Sequence, residues 1–592
     1  MRYSASTEIR ENEIDMNRPS QKNCQPDQQI FVSSRDSSLL TLQLGLALGV
    51  FSLSLALLIG NIGFEGDDWW QFSWPFWFPF PQSIWEYAKD SSRPIEGVYT
   101  VLAFDAFGLN RVPYTLISLF LAAGSCLLLA SCLKRAFPAR STLAIIAGFM
   151  AFFLTPVSNL VYMIHTDNSR ISMLFFWLCV FAFQRWALSG ASWRGLLLPV
   201  ILYLFGAFTY ENTTFLIFCV PLLVWPVYVR HPKSLPTKPF LVRLFSGILG
   251  GFAIFVMARF VVFSGGAVKQ NSLFPPLGLI WSYLTNLGFY IICPVTDVPH
   301  DVVSWLWAAP IALVFAAFVL YSSKSDAIAQ GCGEGRRWEQ SVLYVIVLGL
   351  LFVIFGMLPY LLAGYHSDIG FTSQSRIYSA ASYGVAILGA ALFTASRSWR
   401  IRAPMMVVAV ALIFVMASFL AGLRTEWRQA EVERSKICRS LIEQVPDVAP
   451  RTTFLFLGLQ SYIYSHGIAR AVIFQGVDGL GEWIKMLYGS KDVYAYFIYP
   501  KTEVVDDDKG RRASASPSGV NARGSAVRGP IPLDTILIVE RLGNRMRLLD
   551  KLSEKDGVAA IDWQDVSEIR SNTRLIAPAP HVTTGFKSIC GR

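Results

Sequence analysis

The apolar run LLTLQLGLALGVFSLSLALLIG, from Leu39 to Gly60, decides the fold class of this chain. It contains no charged residue over 22 positions, and a helix needs about 20 apolar residues to cross a bilayer. Residues 1–38 are polar and mixed in charge, too long for the charged start of a secretory signal, and the run lacks a small-residue cleavage site. The run therefore predicts a retained first transmembrane helix behind a polar tail.

The remaining composition is that of a polytopic membrane protein. Hydrophobic residues fill 53% of the 592 positions and charged residues only 16%, whereas soluble domains carry about 25% charge. The stretch 277–292 is short, with Pro and Gly nearby, so a further span, a re-entrant hairpin and an interfacial helix all stay open for it. We predict a mainly α transmembrane bundle of about 11–13 spans. The other apolar runs lie at 113–133, 141–156, 171–188, 196–209, 213–229, 244–263, 302–321, 341–362, 377–395 and 404–423.

The basic residues indicate the orientation. Cytoplasmic loops of membrane proteins are enriched in Lys and Arg, which explains the net charge of +10 without a nucleic-acid partner. One orientation satisfies every short loop if the N-terminus is cytoplasmic and 277–292 does not cross. The basic loops carry Lys134, Arg135 and Arg140; Arg185 and Arg194; Arg230, Lys233, Lys238 and Arg243; Lys324, Arg336 and Arg337; and Arg397, Arg400 and Arg402.

Three regions follow from this map. The cytoplasmic tail (1–38) precedes a transmembrane domain (39–422), whose first outer loop covers 61–112. The region 423–592 becomes extracytoplasmic, and its alternation of short β-type runs with helix-like stretches predicts a small α/β domain. Inside it, about residues 506–530 are poor in apolar side chains and rich in Ser, Gly and Ala, which predicts a disordered loop. The plasma (inner) membrane is the expected location.

Acids, histidines and aromatic residues gather in the predicted outer loops. Charged residues near span ends are costly unless they are solvated or paired, so a converging set indicates a functional site. The alternative is that outer loops are simply where Lys and Arg are scarce. The candidates on this rim are Glu65, Asp67, Asp68, Arg93, His165, Asp167, Arg170, Tyr210, Glu211, His366 and Arg376. Arg259 lies inside a predicted span, five residues before Ser264, and could reach outward to join them.

The first outer loop opens with Glu65-Gly-Asp-Asp-Trp-Trp70. Adjacent carboxylates suit acid–base chemistry, because a neighbour and aromatic shielding raise the basicity of one of them. The other could hold a metal ion or an orienting partner. A solvated helix end followed by an interfacial aromatic belt would give the same letters.

Several phrases resemble the membrane glycosyltransferases of the GT-C superfamily, especially protein O-mannosyltransferase-like members. These are Arg93-Pro94, Phe107-Gly-Leu-Asn110 with Pro113-Tyr114, the polar loop from Val157 to Arg170, and Tyr210-Glu211-Asn212. The resemblance covers roughly residues 40 to 230. The chain departs from it by carrying Tyr210 where a Lys is common, and by lacking the tetratricopeptide repeats of some members.

The resemblance implies transfer of a sugar from a polyprenyl-phosphate donor to a lipid, glycan or protein acceptor at the extracytoplasmic face, with inversion. Asp67 or Asp68 would be the general base. Arg93 and Arg170, with Arg376 behind them, would bind the leaving phosphate, and Arg259 could assist. Substrate contacts are expected from Glu65, His165, Asp167, Tyr210, Glu211 and His366. A divalent metal is left open, and no other cofactor is predicted.

Other functions fit a polytopic chain. A polysaccharide ligase or polymerase shares the lipid-linked donor but normally places its key residues in a large later loop, whereas the first outer loop is the longest between spans here. A transporter or flippase of lipid-linked glycans would show inverted repeats and ionisable residues at mid-membrane. A scaffold would tolerate replacement of the acidic pair.

Overall fold

The computed structural model describes residues 26–59, 62–154, 162–230, 236–261, 277–299, 301–331, 338–365, 373–396, 398–459, 462–465, 468–474, 476–498, 513–516, 519–522, 536–543 and 545–549. His366, a predicted site residue, lies outside these ranges, as do most of residues 506–530.

Sixteen α-helices dominate the described residues. They are α1 (Pro26–Ile59), α2 (Gly66–Trp77), α3 (Gln82–Ser91), α4 (Pro94–Phe107), α5 (Arg111–Ala136), α6 (Ser141–Phe153), α7 (Asp167–Leu188), α8 (Leu197–Thr209), α9 (Val220–Arg230), α10 (Thr237–Val261), α11 (Leu277–Thr296), α12 (Val302–Gly331), α13 (Trp338–Leu362), α14 (Ser379–Phe393), α15 (Trp399–Gln444) and α16 (Gly476–Tyr488). Eight short strands follow α15: β1 (Thr453–Leu457), β2 (Tyr462–Ser465), β3 (Ile468–Val472), β4 (Tyr494–Ile498), β5 (Ala513–Ser516), β6 (Gly519–Ala522), β7 (Ile536–Leu542) and β8 (Arg545–Leu549).

Ten helical segments in the described part are long and apolar enough to cross a membrane. Two shorter apolar helices, Ser141–Phe153 and Arg194–Thr209, match the predicted runs at 141–156 and 196–209. The mainly helical multi-pass architecture is thereby confirmed. The ten segments are Thr41–Ile59, Arg111–Ala136, Ile164–Leu188, Glu211–Arg230, Thr237–Arg259, Leu277–Thr296, Val302–Lys324, Val342–Leu362, Ser375–Phe393 and Arg400–Gln444.

Helix α11 covers the stretch that the sequence left open. The Tyr283 hydroxyl donates a hydrogen bond to the Tyr365 carbonyl just beyond α13, at 2.7 Å, and the Tyr290 ring packs against Tyr378 just before α14, at 5.2 Å. After the helix, Pro299 packs directly on Gly422 of α15. The helix has twenty residues, about 30 Å, and is long and apolar enough to cross a membrane. These contacts place it and the residues after it against the ends of α13 and α14 and against α15.

At the other end of the bundle, a carboxylate ties three helices together. Asp326, near the end of α12, accepts hydrogen bonds from the backbone N–H groups of Ser141 (2.7 Å) and Thr142 (3.2 Å) at the start of α6. Arg402 at the start of α15 lies 3.4 Å from the second Asp326 oxygen. A buried carboxylate at a helix N-terminus satisfies donors that the helix itself leaves unpaired.

The C-terminal region contains the predicted strands. Its sheet has the order β4-β1-β7-β8, with β4, β1 and β7 parallel and β8 antiparallel to β7. All five residues of β1 are buried, as expected for a strand with a neighbour on each side. Strands β2 and β3 pair separately, and so do β5 and β6. Helix α15 runs unbroken through the predicted boundary at 422/423.

This region packs over the first loop of the chain. Helix α16 lies against α2, and the Lys491 ammonium sits 4.4 Å from the centre of the Phe78 ring. On α15, Trp427 stacks on Tyr162 at 5.6 Å, and Glu431 lies so close to Gly63 that a Cβ there would be 1.7 Å from its carboxylate oxygen. The C-terminal region therefore helps to fix the start of α2.

Candidate active site

The predicted acidic pair occupies the first turn of α2, which begins at Gly66 directly after Glu65. The N-terminus of a helix carries a partial positive charge and unpaired N–H groups, so it favours carboxylates. Asp68 pairs with one of these N–H groups: its Oδ2 accepts a hydrogen bond from the Glu65 backbone N–H at 3.1 Å. Asp67, one residue earlier, faces His165 Nε2 and Arg376 instead.

Asp68 is held from three sides. Besides the Glu65 N–H, its carboxylate accepts hydrogen bonds from the His165 backbone N–H at 2.7 Å and from Arg111 at 3.2 Å, and His165 Nδ1 lies 3.1 Å from Oδ1. Burial alone would raise the pKa of Asp68, but the hydrogen bond from His165 and the charges of His165 and Arg111 outweigh burial and hold that pKa below its usual range. The carboxylate is buried and accepts hydrogen bonds from several fixed donors, which suits a positioning role.

Glu65 is equally buried but has poorer partners. Its Oε1 lies 3.1 Å from His165 Nδ1, and neither carboxylate oxygen has a hydrogen-bond partner of regular geometry among the described residues. Burial raises the pKa of Glu65, and the interaction with His165 offsets only part of this rise. The two buried carboxylates, Glu65 and Asp68, therefore differ sharply in the hydrogen bonds that they receive.

Asp67 is the accessible member of the group. Its side chain is 28% exposed, whereas Glu65 and Asp68 are 0% exposed. Its Oδ2 lies 3.5 Å from His165 Nε2 and 3.6 Å from the Arg376 guanidinium. The imidazole thus lies between the buried carboxylates on its Nδ1 side and the accessible one on its Nε2 side. We call Glu65, Asp67, Asp68, His165 and Arg111 the acid–imidazole cluster.

An arginine cluster, made of Arg93, Arg259, Arg376 and Glu211, lies beside it. Arg93 binds the Glu211 carboxylate through Nε and through Nη2, the latter at 3.0 Å. Arg259 reaches the same carboxylate at 2.8 Å from the end of α10. The Tyr210 ring lies under the Arg93 guanidinium at 4.5 Å, and the Arg376 guanidinium lies 3.6 Å from Asp67. All four members of the cluster are partly exposed.

A group of buried polar side chains around Glu96 connects the two clusters. Glu96 in the first turn of α4 accepts hydrogen bonds from Gln71 and Asn168, both at 2.7 Å, and lies 3.4 Å from Arg93. Burial raises the pKa of Glu96, and the charge of Arg93 offsets part of the rise. Pro94 at the start of α4 supplies a fixed φ there, and Gly108 with a φ of 54° follows its end.

The structure brings most of the predicted residues together and separates two. Asp167 and Arg170 form a fully buried ion pair with each other, and Asp167 also accepts hydrogen bonds from Ser118 and from Tyr99. Their carboxylate and guanidinium face inward rather than toward the exposed arginines. Glu65, Asp67, Asp68, Arg93, His165, Tyr210, Glu211, Arg259 and Arg376 converge at one end of the bundle.

Sequence reasoning did not single out Arg111, Glu96 or Gln71. Arg111 directly follows the quoted phrase ending at Asn110, and Glu96 lies two residues after Pro94. The signal that could have found Arg111 and Glu96 is a charged residue at the start of an apolar helix, where a carboxylate or guanidinium needs a partner.

One subset could hold a metal ion. A ligand atom from each of Glu65, Asp68 and His165 lies within 4.8 Å of the other two, and all three residues are buried.

Comparisons with known proteins add little to this description. No protein-family model matches the chain, and no curated protein matches it. Among solved structures, the chain is similar to ArnT from Cupriavidus metallidurans, whose crystal structure is described as bound to undecaprenyl phosphate. That alignment has 12% sequence identity and a TM-score of 0.32, and it covers 71% of this chain and 83% of ArnT. The fold and the cluster geometry define a multi-pass membrane protein with a charged site at one end of its helical bundle.

Proposed function

We propose that this protein is a membrane glycosyltransferase that moves a sugar from a polyprenyl-phosphate donor to a hydroxyl acceptor, with Asp67 as the general base. The observation that carries the proposal is the pairing of an accessible carboxylate with a neighbouring set of partly exposed arginines. A transfer of this kind needs a base for the acceptor and cations for the phosphate.

The chemistry follows from the two clusters. The acceptor oxygen attacks the anomeric carbon of the donor, and its proton passes to an Asp67 carboxylate oxygen. The bond between the anomeric carbon and the phosphate oxygen breaks, and its electron pair leaves with the lipid phosphate. Attack from the face opposite the phosphate inverts the anomeric carbon. Asp68 is excluded as the base because its oxygens already accept hydrogen bonds and are buried.

The leaving phosphate requires positive charge at the same rim. Arg376 lies 3.6 Å from Asp67, which places a guanidinium next to the reacting group. Arg93 and Arg259 share the Glu211 carboxylate, and both guanidinium groups stay partly exposed, so they are available to an anionic phosphate. Guanidinium groups bind phosphate oxygens in pairs of parallel hydrogen bonds, which suits this arrangement.

The acceptor would approach from the C-terminal side. Helix α16 and Lys491 lie on α2, whose first turn carries Asp67. We therefore assign acceptor binding to the region after Gln444, with the site and this region extracytoplasmic and residues 1–38 cytoplasmic. An enzyme tag or reporter at the C-terminus that proved cytoplasmic would overturn this orientation.

The function is tested with purified full-length protein in lipid nanodiscs and a panel of radiolabelled polyprenyl-phosphate sugars. We expect loss of the sugar from one donor and formation of a glycoside with inverted anomeric configuration, measured by NMR. Absence of cleavage with every donor, in protein that is folded and supplied with hydroxyl acceptors, would contradict the proposal. Movement of an intact lipid-linked sugar across the bilayer would instead favour a flippase.

A further inference from the structure

In the buried half of the acid–imidazole cluster, three ligand-type atoms lie close together. His165 Nδ1 lies 3.1 Å from Glu65 Oε1 and also 3.1 Å from Asp68 Oδ1. A single N–H can only be shared between these two oxygens, whereas one cation could contact all three atoms. Two ligands about 2.1 Å from a metal ion are themselves about 3.0–3.4 Å apart at angles of about 90–109°.

The two buried carboxylates need a second positive charge besides Arg111, which is either a proton on His165 or a metal ion. Glu65 and Asp68 are both fully buried, and Asp67 is close by. Arg111 is the one described guanidinium that contacts this buried pair, and it binds Asp68 alone. Buried carboxylates need a compensating charge and hydrogen bonds, and Glu65 has neither oxygen engaged in a regular hydrogen bond among the described residues. Its Oε1 lies 3.1 Å from His165 Nδ1.

We propose that Glu65, Asp68 and His165 bind one divalent transition-metal ion through Glu65 Oε1, Asp68 Oδ1 and His165 Nδ1. One imidazole with two carboxylates suits Zn²⁺ or Mn²⁺ better than Mg²⁺ or Ca²⁺, which prefer oxygen ligands throughout. The ion would be held by two segments distant in the chain, the start of α2 and the start of α7.

The groups around the three ligands are those that a metal site requires. The second oxygen of Asp68 accepts hydrogen bonds from Arg111 and from the Glu65 N–H, which fixes the carboxylate. With Nδ1 on the metal, the His165 ring carries its proton on Nε2, which faces Asp67 at 3.5 Å. A metal-bound histidine usually donates its other N–H to a carboxylate in this way. The ion would thus orient Asp67 without contacting the substrate.

The test measures metal content and thermal unfolding of the full-length protein, so it needs no donor or acceptor. After chelation and dialysis, the protein is incubated with Zn²⁺ or Mn²⁺, washed, and assayed by inductively coupled plasma mass spectrometry. We expect one ion per chain for at least one of the two metals and a higher unfolding temperature in its presence.

Four variants make the assignment specific. Glu65→Gln keeps the shape of the side chain and should lose the ion, and His165→Asn, which keeps an N–H near the Nδ1 position, should lose it too. Asp67→Asn should keep the ion with at most about 10- to 100-fold weaker binding, as for other groups behind a ligand. Asp326→Asn, a buried carboxylate at the opposite end, should bind the metal normally.

The contrary result is equally clear. Folded wild-type protein that takes up neither metal, with an unfolding temperature that neither metal moves, would overturn the proposal and leave a protonated His165 as the bridge between the carboxylates. Uptake that persists undiminished in both Glu65→Gln and His165→Asn would overturn the ligand assignment. Sugar transfer by metal-free protein would leave the proposed function standing, and metal uptake by protein without transfer activity would leave only the metal site.

Discussion

A buried carboxylate that pairs with an arginine lies at each end of the helical bundle, but the surroundings of the two carboxylates differ. At each end a buried carboxylate, Asp68 or Asp326, accepts hydrogen bonds from two backbone N–H groups and pairs with one arginine. Among the described residues, the Asp68 end also has an accessible second carboxylate, Asp67, which lies beside His165 and the partly exposed Arg376. We therefore interpret the two buried carboxylates as joints between helices, and we expect the chemistry at the exposed charges beside Asp68.

The largest effect should come from Asp67→Asn. The amide keeps the size of the side chain but accepts no proton, so the rate of sugar transfer should fall by about 10²- to 10⁴-fold. Single-turnover kinetics with saturating donor measures the loss. Retention of more than about a tenth of the wild-type rate would remove Asp67 from the mechanism, and the unfolding temperature should stay close to that of the wild type.

The next effect concerns stability at the Asp68 joint. Arg111→Met removes the guanidinium and leaves Asp68 charged and buried, which should cost about 3–5 kcal/mol of unfolding free energy. Arg402→Met is the matched change at the other joint. Its loss should be smaller, because Arg111 also donates hydrogen bonds to the Gly63 and Tyr162 carbonyls, whereas Arg402 lies 3.4 Å from Asp326 and otherwise contacts the Thr142 hydroxyl. Thermal or denaturant unfolding of the two variants compares the joints, and an equal or reversed order would contradict the difference.

Replacing a rim arginine should act on the donor. Arg93→Lys removes the fork that binds Glu211 and faces the proposed phosphate and should weaken donor binding by about 10- to 100-fold, corresponding to one or two charge-assisted hydrogen bonds. Donor titrations at fixed acceptor report the change as a higher KM. Arg185→Lys, at the opposite end of the bundle, serves as the control. An unchanged KM in Arg93→Lys would separate the arginine cluster from the phosphate.

The smallest effect should come from Asp326→Asn. The amide loses one acceptor for the Thr142 N–H or for Arg402, which should cost about 1–3 kcal/mol of stability. Transfer per folded molecule should not change. A loss of turnover larger than the loss of folded protein would link this joint to the site.

Much of the fold could be predicted from the sequence because a bilayer imposes length and polarity. The apolar runs, the small sheet after α15 and the gathering of Glu65, Asp67 and Glu211 at one end all follow from hydropathy and charge. The sequence could not tell Asp67 from Asp68, because exposure is decided by Arg111 and His165, residues distant in the chain. Asp167 and Arg170, expected at the rim, pair with each other instead because they lie three positions apart on one turn of α7.

The predicted position of Arg259 agrees with the structure, whereas its role in binding the donor stays a prediction. Its position near the end of a span predicts a side chain that reaches the rim, and in the structure it binds Glu211 and the Ser92 carbonyl. Which helix carries its partner depends on packing between α8 and α10, which hydropathy does not encode. Its contact with a donor phosphate stays a prediction.

The central claim is that the accessible Asp67 performs the chemistry, while the buried carboxylates Asp68 and Asp326 hold the helices together. The most direct measurement compares Asp67→Asn and Asp326→Asn in one assay of sugar transfer, each normalised to folded protein. We predict that Asp326→Asn keeps the wild-type rate and that Asp67→Asn loses it. Equal rates in the two variants would contradict the claim.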